Sequence, residues 1–326
     1  MRRNRVLSCL LVGFVLMCAV GAQLTTTFYD TSCPALQSIV RRLVLQAIVT
    51  ETRMAASLLR MHFHDCFVNG CDASLLLDDT ATVTGEKTAA PNNNSVRGFD
   101  VIDTIKTAVE NNCSKTVSCA DIVAIAARDS VLFSGGPSWS VLLGRRDATT
   151  VNGTAPNFVI PSPVDNLTEI IRKFADVGLS ITDVVSLSGG HTIGRARCAT
   201  FNNRLFDFNS SGSPDPTLES TMLATLQVTC PPSGDNSTLV SLDRRSRDWF
   251  DNAYFKNLQS NNGLLLSDQE LYSSSNAQTK ALVDTYSASP STFSTDFVNS
   301  MIKMGNISPL TGTAGEIRTN CRVVNS

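Results

Sequence analysis

The sequence predicts a mainly α-helical protein. Apolar residues recur at intervals of three or four in segments such as 39–47 and 101–109, where they would share one face of a helix. Capping residues and glycines stand where such segments would begin and end. Alternating apolar and polar residues, which would indicate strands, occur only in a few short runs. We therefore expect an all-α fold with minor, short β elements.

Local signals predict the helix boundaries. Ser118 precedes Asp121 and the apolar run IVAIAA, which predicts a helix that begins with a capping box. The sequence GGP at 135–137 would end that helix. The segment TDVVSLSGG, from Thr182, predicts a short helix that its glycines stop. A further helix is predicted by SPSTFSTDFVNSMIKMG, with its end at Gly305.

Length and composition suit one large domain built from two lobes. The chain has 326 residues, of which 42% are hydrophobic, so it can bury a sizeable core. Long surface loops are expected at 136–165 and 207–240, which are rich in Gly, Pro, Ser and Asn. The lobe boundary would fall near Pro161-Ser162-Pro163, which gives lobes of about 23–160 and 161–326.

The N-terminus has the features of a secretory signal peptide, MRRNRVLSCLLVGFVLMCAVGA. A basic start, an apolar run over 6–20 and a small Gly-Ala pair are typical of a segment, here residues 1–22, that is removed on export. A membrane anchor is the alternative, but a span needs ~20 apolar residues and this run is shorter. We expect a secreted, extracellular protein with no membrane partner, whose mature domain is 23–326.

Charge excludes one class of partner. The chain holds 27 basic and 29 acidic residues, and charged residues make up only 17% of it. Removal of 1–22 takes three arginines, which leaves 24 basic against 29 acidic residues and a net charge of −5. Because no basic run is present, a nucleic-acid partner is not expected.

The cysteines agree with secretion. Eight remain after residues 1–22 are removed, and an even number in an oxidising compartment indicates four disulfides. The sequence alone leaves their pairing open, but it contains no C-x-x-C pair that would favour a zinc cluster. N-x-S/T sequons, typical of a glycoprotein, occur at Asn93, Asn112, Asn152, Asn166, Asn209, Asn236 and Asn306.

Two of the three histidines lie in the stretch RMHFHDCFVNGCDAS at 60–74. If residues 51–65 form a helix, Arg60 and His64 are four positions apart and share one face, while His62 points away from it. A guanidinium lowers the pKa of a neighbouring imidazole, because like charges disfavour protonation. His64 would then be neutral and able to accept a proton, and Arg60 would supply fixed positive charge. The spacing alone does not distinguish this arrangement from a surface helix that carries both residues by chance.

The loop after this helix is rich in oxygen atoms. Side-chain or backbone oxygens lie close together in sequence at Asp65, Val68, Gly70, Asp72 and Ser74. Calcium takes about six to eight such oxygens, often from irregular loops. Cys66 and Cys71 could close the loop as a small disulfide, which would contribute about 2 kcal/mol and fix the direction of the carbonyls.

The third histidine, His191, follows SGG at 188–190 at a predicted helix end. Alone, such a histidine is more often a capping or surface residue. Together, RMHFHDCFVNGCDAS and VVSLSGGHTIGRARC closely resemble the plant secretory (class III) haem peroxidases. The resemblance covers the whole mature chain, through LGRRD at 143–147, FDNAYF at 250–255, GLLLSDQEL at 263–271 and MGNISPLTGTAGEIRTNCR at 304–322.

This resemblance implies a mainly helical haem-peroxidase fold in which a distal and a proximal lobe enclose one haem b. His191 matches the axial ligand of the iron, and Asp268 matches the carboxylate that accepts the other N–H of that histidine. On the distal side, His64 matches the residue that moves a proton within hydrogen peroxide. Arg60 matches the group that stabilises charge on the departing oxygen. Asn92 matches the amide that keeps the iron-facing nitrogen of His64 free to accept.

The resemblance also implies a donor site and two calcium ions per chain. Pro161 matches the proline at the haem-edge opening, where small phenolic donors would be oxidised in successive one-electron steps. Glu86 matches the residue that links the Asn92 network to the distal calcium. The distal ligands map to Asp65, Val68, Gly70, Asp72 and Ser74. The proximal ligands map to Thr192, Asp243, Ser246, Trp249 and Asp251. The disulfides map to Cys33 with Cys113, Cys66 with Cys71, Cys119 with Cys321, and Cys198 with Cys230, and a monomer is expected.

The sequence departs from the family pattern at the proximal loop, SLDRRSRDWFDN. A threonine and a proline are commoner than Ser246 and Arg247. Serine keeps the hydroxyl and Trp249 need lend only its carbonyl, so we expect the site to survive, although the arginines at 244, 245 and 247 could weaken calcium binding by repulsion. The chain stops at NCRVVNS, without the longer tail of vacuolar members, which favours secretion to the wall space.

Two other functions are weighed against this one. A zinc or copper enzyme would use the three histidines, but HFH at 62–64 lacks the i, i+4 helical pair of H-E-x-x-H sites. A non-catalytic binding or wall-structural glycoprotein on the same fold is disfavoured because no active-site position is missing. A haem absorbance band with turnover, a band without turnover, or no band would distinguish the three.

Overall fold

The computed structural model describes residues 23–81, 84–234 and 236–326, so the predicted signal peptide at 1–22 lies outside the described residues. Within these ranges the chain forms thirteen α-helices and one two-stranded antiparallel sheet. The helices are α1 Leu36–Thr50, α2 Met54–Val68, α3 Phe99–Asn112, α4 Cys119–Phe133, α5 Pro156–Val159, α6 Leu167–Asp176, α7 Ile181–Ser188, α8 Asn202–Phe206, α9 Ser220–Thr229, α10 Ala253–Gln259, α11 Leu266–Ser273, α12 Ala277–Ala288 and α13 Pro290–Met304. The strands are β1 Arg195–Arg197 and β2 Leu239–Ser241. The predicted all-α class with minor β elements is confirmed.

Helix α4 forms the centre of the N-terminal half. Every residue from 119 to 131 is buried, as expected for a helix that is covered on all sides, and both α1 and α2 pack against it. Its N-cap Ser118 accepts a hydrogen bond from the backbone N–H of Asp121 at 3.1 Å. The predicted capping box is nevertheless only half formed. The Asp121 carboxylate accepts hydrogen bonds from Tyr29 Oη and Arg145 Nη1 instead, each at 2.8 Å.

The C-terminal half is built around α7, α10, α12 and α13. Helix α7 packs against α12 and α13, and α10 packs against α12. At the start of α7, Ser180 and Asp183 form a complete capping box. Within the described ranges, every helix is either too short or too polar to cross a lipid bilayer.

Three sequence predictions differ from the structure. The loop expected at 136–165 contains the short helix α5, Pro156–Val159, which begins with a proline in its first turn. The helix expected at 51–65 is α2, which begins at Met54 and continues to Val68. The loop expected at 207–240 contains α9, so that part of the prediction is wrong. Helix α9 forms because the Glu219 carboxylate accepts hydrogen bonds from the N–H groups of Thr221 and Met222, each at 2.8 Å. The Gly, Ser and Pro residues on both sides of α9 conceal it in the sequence.

Four disulfides connect the elements. They join Cys33 with Cys113, Cys66 with Cys71, Cys119 with Cys321, and Cys198 with Cys230, which are the pairs that the resemblance implies. The sequence separations of the first and third pairs are 80 and 202 residues. In the chain-entropy account such loops contribute about 4 to 5 kcal/mol each, against about 2 kcal/mol for the short Cys66–Cys71 loop. The short bridge therefore acts chiefly on local geometry.

Candidate active site

Helix α2 carries the first histidine site. His64 is buried, and its Nδ1 lies 2.5 Å from Oδ1 of Asn92. The Nδ2 of Asn92 donates to the backbone oxygen of Glu86 at 2.8 Å, which fixes the orientation of the amide. Because Asn92 can then offer only an acceptor to His64, the imidazole carries its proton on Nδ1. Its Nε2 is left with a free lone pair.

Arg60 lies one helical turn before His64. Its Nη2 donates to Pro91 O at 2.9 Å and to Ser95 Oγ at 3.2 Å, and no described acidic residue forms an ion pair with it. Burial, followed by repulsion from Arg53, lowers the pKa of Arg60 to about 10, so the guanidinium is still charged at neutral pH. Burial and then Arg60 hold the pKa of His64 well below its usual value, which leaves the imidazole neutral.

The second histidine site lies at the end of α7. The chain continues from α7 into a tight 3₁₀ turn, Gly189–Thr192, which holds His191. A Cβ on Gly189 would lie 2.4 Å from the ring of Phe293, so only glycine allows this turn to approach α13 so closely. His191 Nδ1 lies 2.7 Å from Oδ1 of Asp268, which is the third residue of α11. The carboxylate accepts this N–H, so Nε2 of His191 also has a free lone pair.

The two histidine sites are brought together by contact between α2 and the turn at 189–192. A Cβ on Gly190 would lie 3.5 Å from Cδ2 of Leu59, and one on Gly194 would lie 2.9 Å from Cβ of Ala56. Leu59 is adjacent to Arg60 in α2, and Gly190 is adjacent to His191. The distal and proximal residues of the resemblance therefore come from elements that touch.

The surroundings of both sites fit a haem. The His191 side chain is 39% exposed although its partner Asp268 is only 2% exposed, so the ring faces open space with a free nitrogen of the kind that binds iron. Burial, and then repulsion from Arg97, lower the pKa of Arg53 against the attraction of Glu51, and Arg53 forms no ion pair with a described residue. Arg97 and Arg195 are paired with Glu51 and Asp248, so Arg53 remains available to a carboxylate of a haem.

The loop after α2 holds a second set of polar groups. Asp65 Oδ1, Ser74 Oγ and both carboxylate oxygens of Glu86 are buried without a hydrogen-bond partner. Burial, and then the charge of Asp72, raise the pKa of Asp65 well above its usual value, and burial raises the pKa of Glu86 to about 7. Buried oxygens that repel one another and lack donors fit a bound cation.

The backbone of this loop supplies further oxygens for a cation. Gly70 has φ +102°, and a Cβ there would lie 2.4 Å from Ser308 O, so the position requires glycine. Val68 is the last residue of α2, where helix carbonyls have no intrahelical partner. The carbonyl groups of both residues can therefore join the side chains of Asp65, Asp72 and Ser74.

A third oxygen cluster lies beside His191. Thr192 Oγ1 is 3.3 Å from Asp243 Oδ2, 3.3 Å from Asp251 Oδ1 and 3.5 Å from Trp249 O. Ser246 Oγ lies 3.0 Å from Asp251 Oδ1. Two oxygens bound at right angles to a calcium ion, each at about 2.4 Å, would be about 3.4 Å apart. The five residues that the resemblance places at the proximal calcium thus converge, and the arginines 244, 245 and 247 around them are all exposed.

Pro161 follows α5 and is half-buried. Helix α5 packs against α2, and its Asn157 Oδ1 accepts a hydrogen bond from Ala90 N at 2.9 Å. Since Ala90 belongs to the segment that holds Asn92, the segment around Pro161 lies on the His64 side of the molecule. Phe158 of α5 is 71% exposed beside it.

A different group of possible ligands does not form a metal site. The ligand atoms of His62, Cys66 and Cys71 lie within 4.8 Å of one another, but the two sulfurs are bonded to each other and offer no thiolate. Burial, and then Arg145, lower the pKa of His62 to about 3. His62 is therefore a neutral core residue.

Two partners of the site give little signal in the sequence. Ser95 holds the guanidinium of Arg60, and its only signal is its place three residues after Asn92 in a turn. Tyr254 donates to Asp268 Oδ1 at 3.0 Å. It lies in the FDNAYF motif, which indicated the family but assigned no role to the tyrosine.

Comparison with known proteins agrees with this geometry. The family model for peroxidases matches residues 40–289. The chain is 56% identical over 310 residues to Peroxidase 15 of Ipomoea batatas, with 95% of each chain covered. It is 57% identical to Peroxidase N of Armoracia rusticana, covering 95% of this chain and 94% of the relative. It is also 54% identical to the lignin-forming anionic peroxidase of Nicotiana tabacum, with 94% of each chain covered.

Both the family model and these identities extend over most of the chain, and they include the segments that hold the two histidines. The chain therefore belongs to the plant class III haem peroxidases, oxidoreductases that reduce hydrogen peroxide and oxidise donor molecules.

Proposed function

We propose that this peroxidase divides its chemistry between two histidines with opposite tasks, His64 as a proton carrier and His191 as the iron ligand. The observation that carries the proposal is that each imidazole has its Nδ1 bonded to an acceptor, Asn92 or Asp268, and its Nε2 free. When bound, haem supplies the iron that takes up and returns single electrons. In the overall reaction one peroxide and two donor molecules give two waters and two donor radicals.

His64 moves the proton. A neutral imidazole whose Nδ1–H is held by Asn92 can take a proton from hydrogen peroxide at Nε2 and pass it to the departing oxygen. The Asn92 carbonyl stabilises the imidazolium that forms in between. The backbone oxygen of Glu86 accepts a hydrogen bond from Asn92, so the main chain of Glu86 holds the partner of the proton carrier.

Arg60 stabilises charge on the oxygen that leaves. The guanidinium is half-buried and has no acidic partner among the described residues, so its field is available to a substrate. Ser95 and Pro91 hold it in place without neutralising it.

His191 would hold the iron, because its Nε2 is the nitrogen that is left free. The Asp268 carboxylate accepts the Nδ1 proton, which makes the imidazole a stronger electron donor.

Two calcium ions support the two histidines. The distal ion would lie among Asp65, Val68, Gly70, Asp72 and Ser74, where buried oxygens have no partner. The proximal ion would lie among Thr192, Asp243, Ser246, Trp249 and Asp251, with Thr192 next to the iron ligand. Each ion would hold in place the end of an element that carries a catalytic histidine or its neighbour.

The donors are small phenols that bind at the opening near Pro161. The half-buried proline and the exposed Phe158 give this entrance an apolar surface suited to an aromatic ring. The printed name of one relative, a lignin-forming anionic peroxidase, supports a phenolic donor.

The protein is secreted and extracellular, in the wall space, and acts as a glycosylated monomer. Four disulfides support an oxidising destination. The distal lobe, about 23–160, would hold His64, and the proximal lobe, about 161–326, would hold His191. A reporter fused to residues 1–22 or to the whole chain should be exported, and its appearance in the vacuole would contradict this destination.

The activity test combines a spectrum with turnover. Protein loaded with haem should show a strong haem band and oxidise guaiacol only when hydrogen peroxide is present. His64→Ala should slow the reaction with peroxide by ~100- to 10,000-fold while the band is retained. A haem band without guaiacol oxidation in the wild type would support a binding protein instead. If the wild type showed no haem band, a zinc or copper enzyme would be the better interpretation.

A further inference from the structure

The Asp268 carboxylate serves more than the iron ligand. Its Oδ1 accepts two hydrogen bonds, from His191 Nδ1 at 2.7 Å and from Tyr254 Oη at 3.0 Å. Its Oδ2 accepts a third, from the backbone N–H of Leu265 at 3.1 Å. Two donors thus share the single oxygen through which Asp268 acts on the imidazole.

Tyr254 is held firmly in this position. It is the second residue of α10 and is 1% exposed. Its ring meets the imidazole of His191 edge-on, with centroids 6.2 Å apart, and meets Phe255 in the same way at 5.1 Å. Burial, and then the charge of Asp268, raise the pKa of Tyr254 well above its usual value, so the phenol keeps its proton and acts only as a donor.

The two donors compete for the same electron density. A hydrogen bond from the phenol stabilises the negative charge on Asp268 and so reduces the pull of the carboxylate on the His191 proton. A weaker pull makes the imidazole less like an imidazolate, and a less basic ligand raises the reduction potential of the iron that it holds.

We propose that Tyr254 is a positioning residue that sets how strongly Asp268 polarises His191, and through it the reduction potential of the haem iron. The proposal deepens the proposed function and rests on it, since it requires His191 to be the axial ligand. The phenol touches neither peroxide nor donor and acts only through the carboxylate.

The test is Tyr254→Phe in the haem-loaded protein, because this change removes one oxygen and keeps the ring that packs on His191. Tyr286→Phe is the matched control. Tyr286 is equally buried, its ring packs on Phe255 at 5.2 Å, and its Oη donates to a different carboxylate, Asp296, at 2.7 Å. Both variants lose one phenol–carboxylate hydrogen bond from a buried tyrosine in the same aromatic cluster.

Two measurements report on the iron rather than on turnover. The ferric/ferrous midpoint potential of Tyr254→Phe should fall by about 59 mV, which is a tenfold change in the equilibrium constant of a one-electron couple. The iron–histidine stretching band of the reduced protein, in resonance Raman spectra, should move to higher frequency because the bond is stronger. Tyr286→Phe should change neither quantity.

The outcomes distinguish a failure of the role of Tyr254 from a failure of the role of His191. If Tyr254→Phe moves both quantities no further than Tyr286→Phe, the proposal is overturned, even if the variant unfolds at a lower temperature. If the wild type shows no iron–histidine band, the axial role of His191 itself fails. Asp268→Asn should raise the potential, so a shift of the same sign in Asp268→Asn and Tyr254→Phe would also overturn the competition between donors.

Discussion

Replacement of Asn92 by leucine tests the proton-transfer unit most directly. Leucine has the same branched shape and number of side-chain heavy atoms as asparagine but offers no acceptor to Nδ1 of His64, which lies 2.5 Å from the amide oxygen. Both residues are only 2% exposed, so water has little access to replace the lost oxygen. The hydrogen bond matters most when His64 carries the extra proton, because the donor is then charged.

The magnitude follows from that charge. Hydrogen bonds to charged groups contribute about 1.5–3 kcal/mol, and each 1.36 kcal/mol is about tenfold in rate. Asn92→Leu should therefore lower the second-order rate constant for the reaction with peroxide by about 10- to 150-fold. The assay is stopped-flow absorbance at the haem band with peroxide in excess, and Asn93→Leu is the control because Asn93 is the exposed neighbour.

A second readout tests the sign of the effect. The Asn92 hydrogen bond raises the pKa of His64 against the larger lowering by burial and Arg60. Without this hydrogen bond the pKa of His64 should fall further. The acidic decline of the pH–rate profile should therefore shift to lower pH in Asn92→Leu, while the rate at the plateau is below that of the wild type. A rate within about twofold of the wild type, or a limb that moves to higher pH, would refute the proposed role of Asn92.

Three other predictions concern pH, calcium and the proximal carboxylate. In the wild type, the rate constant for the reaction with peroxide should stay level as pH falls through 6.5, the usual pKa of histidine, and a half-maximal rate near that pH would contradict the neutral His64. Prolonged chelation should release two calcium ions per chain, measured by atomic absorption, and Asp65→Asn should reduce the count to one. A count of one in the wild type would argue against the cluster at Asp243. Asp268→Asn should retain haem in the absorbance spectrum while its midpoint potential rises, so loss of haem would show that the carboxylate has a structural role.

Most helices could be predicted because their signals are local. The N-cap Ser118, the glycines after 182–188 and the apolar spacing act within one or two helical turns, and the observed helices follow them. Helix α9 was missed because its stabilising contacts are not periodic. The Glu219 carboxylate holds its first turn, and its C-terminal neighbour Cys230 is joined to Cys198, 32 residues away.

The half-formed capping box at α4 shows a tertiary contact replacing a local one. Asp121 could have bonded to the N–H of Ser118, as the spacing predicts. The fold places Tyr29 and the guanidinium of Arg145 next to it. A buried Arg145 guanidinium without a partner would destabilise the fold far more than one missing hydrogen bond at the helix N-terminus. The Asp121 carboxylate therefore pairs with Arg145.

The amino-acid sequence by itself determined the helical class, the number of cysteines available for bridges, and the motifs that place the chain among the peroxidases. Those properties depend on residue types and on spacings within a few turns. Only the tertiary structure decided the state of each histidine, because the partners of His64 and His191 lie 28 and 77 positions away. Proton position, desolvation and the sharing of Asp268 by His191 and Tyr254 depend on distances of about 3 Å, and folding alone creates those distances.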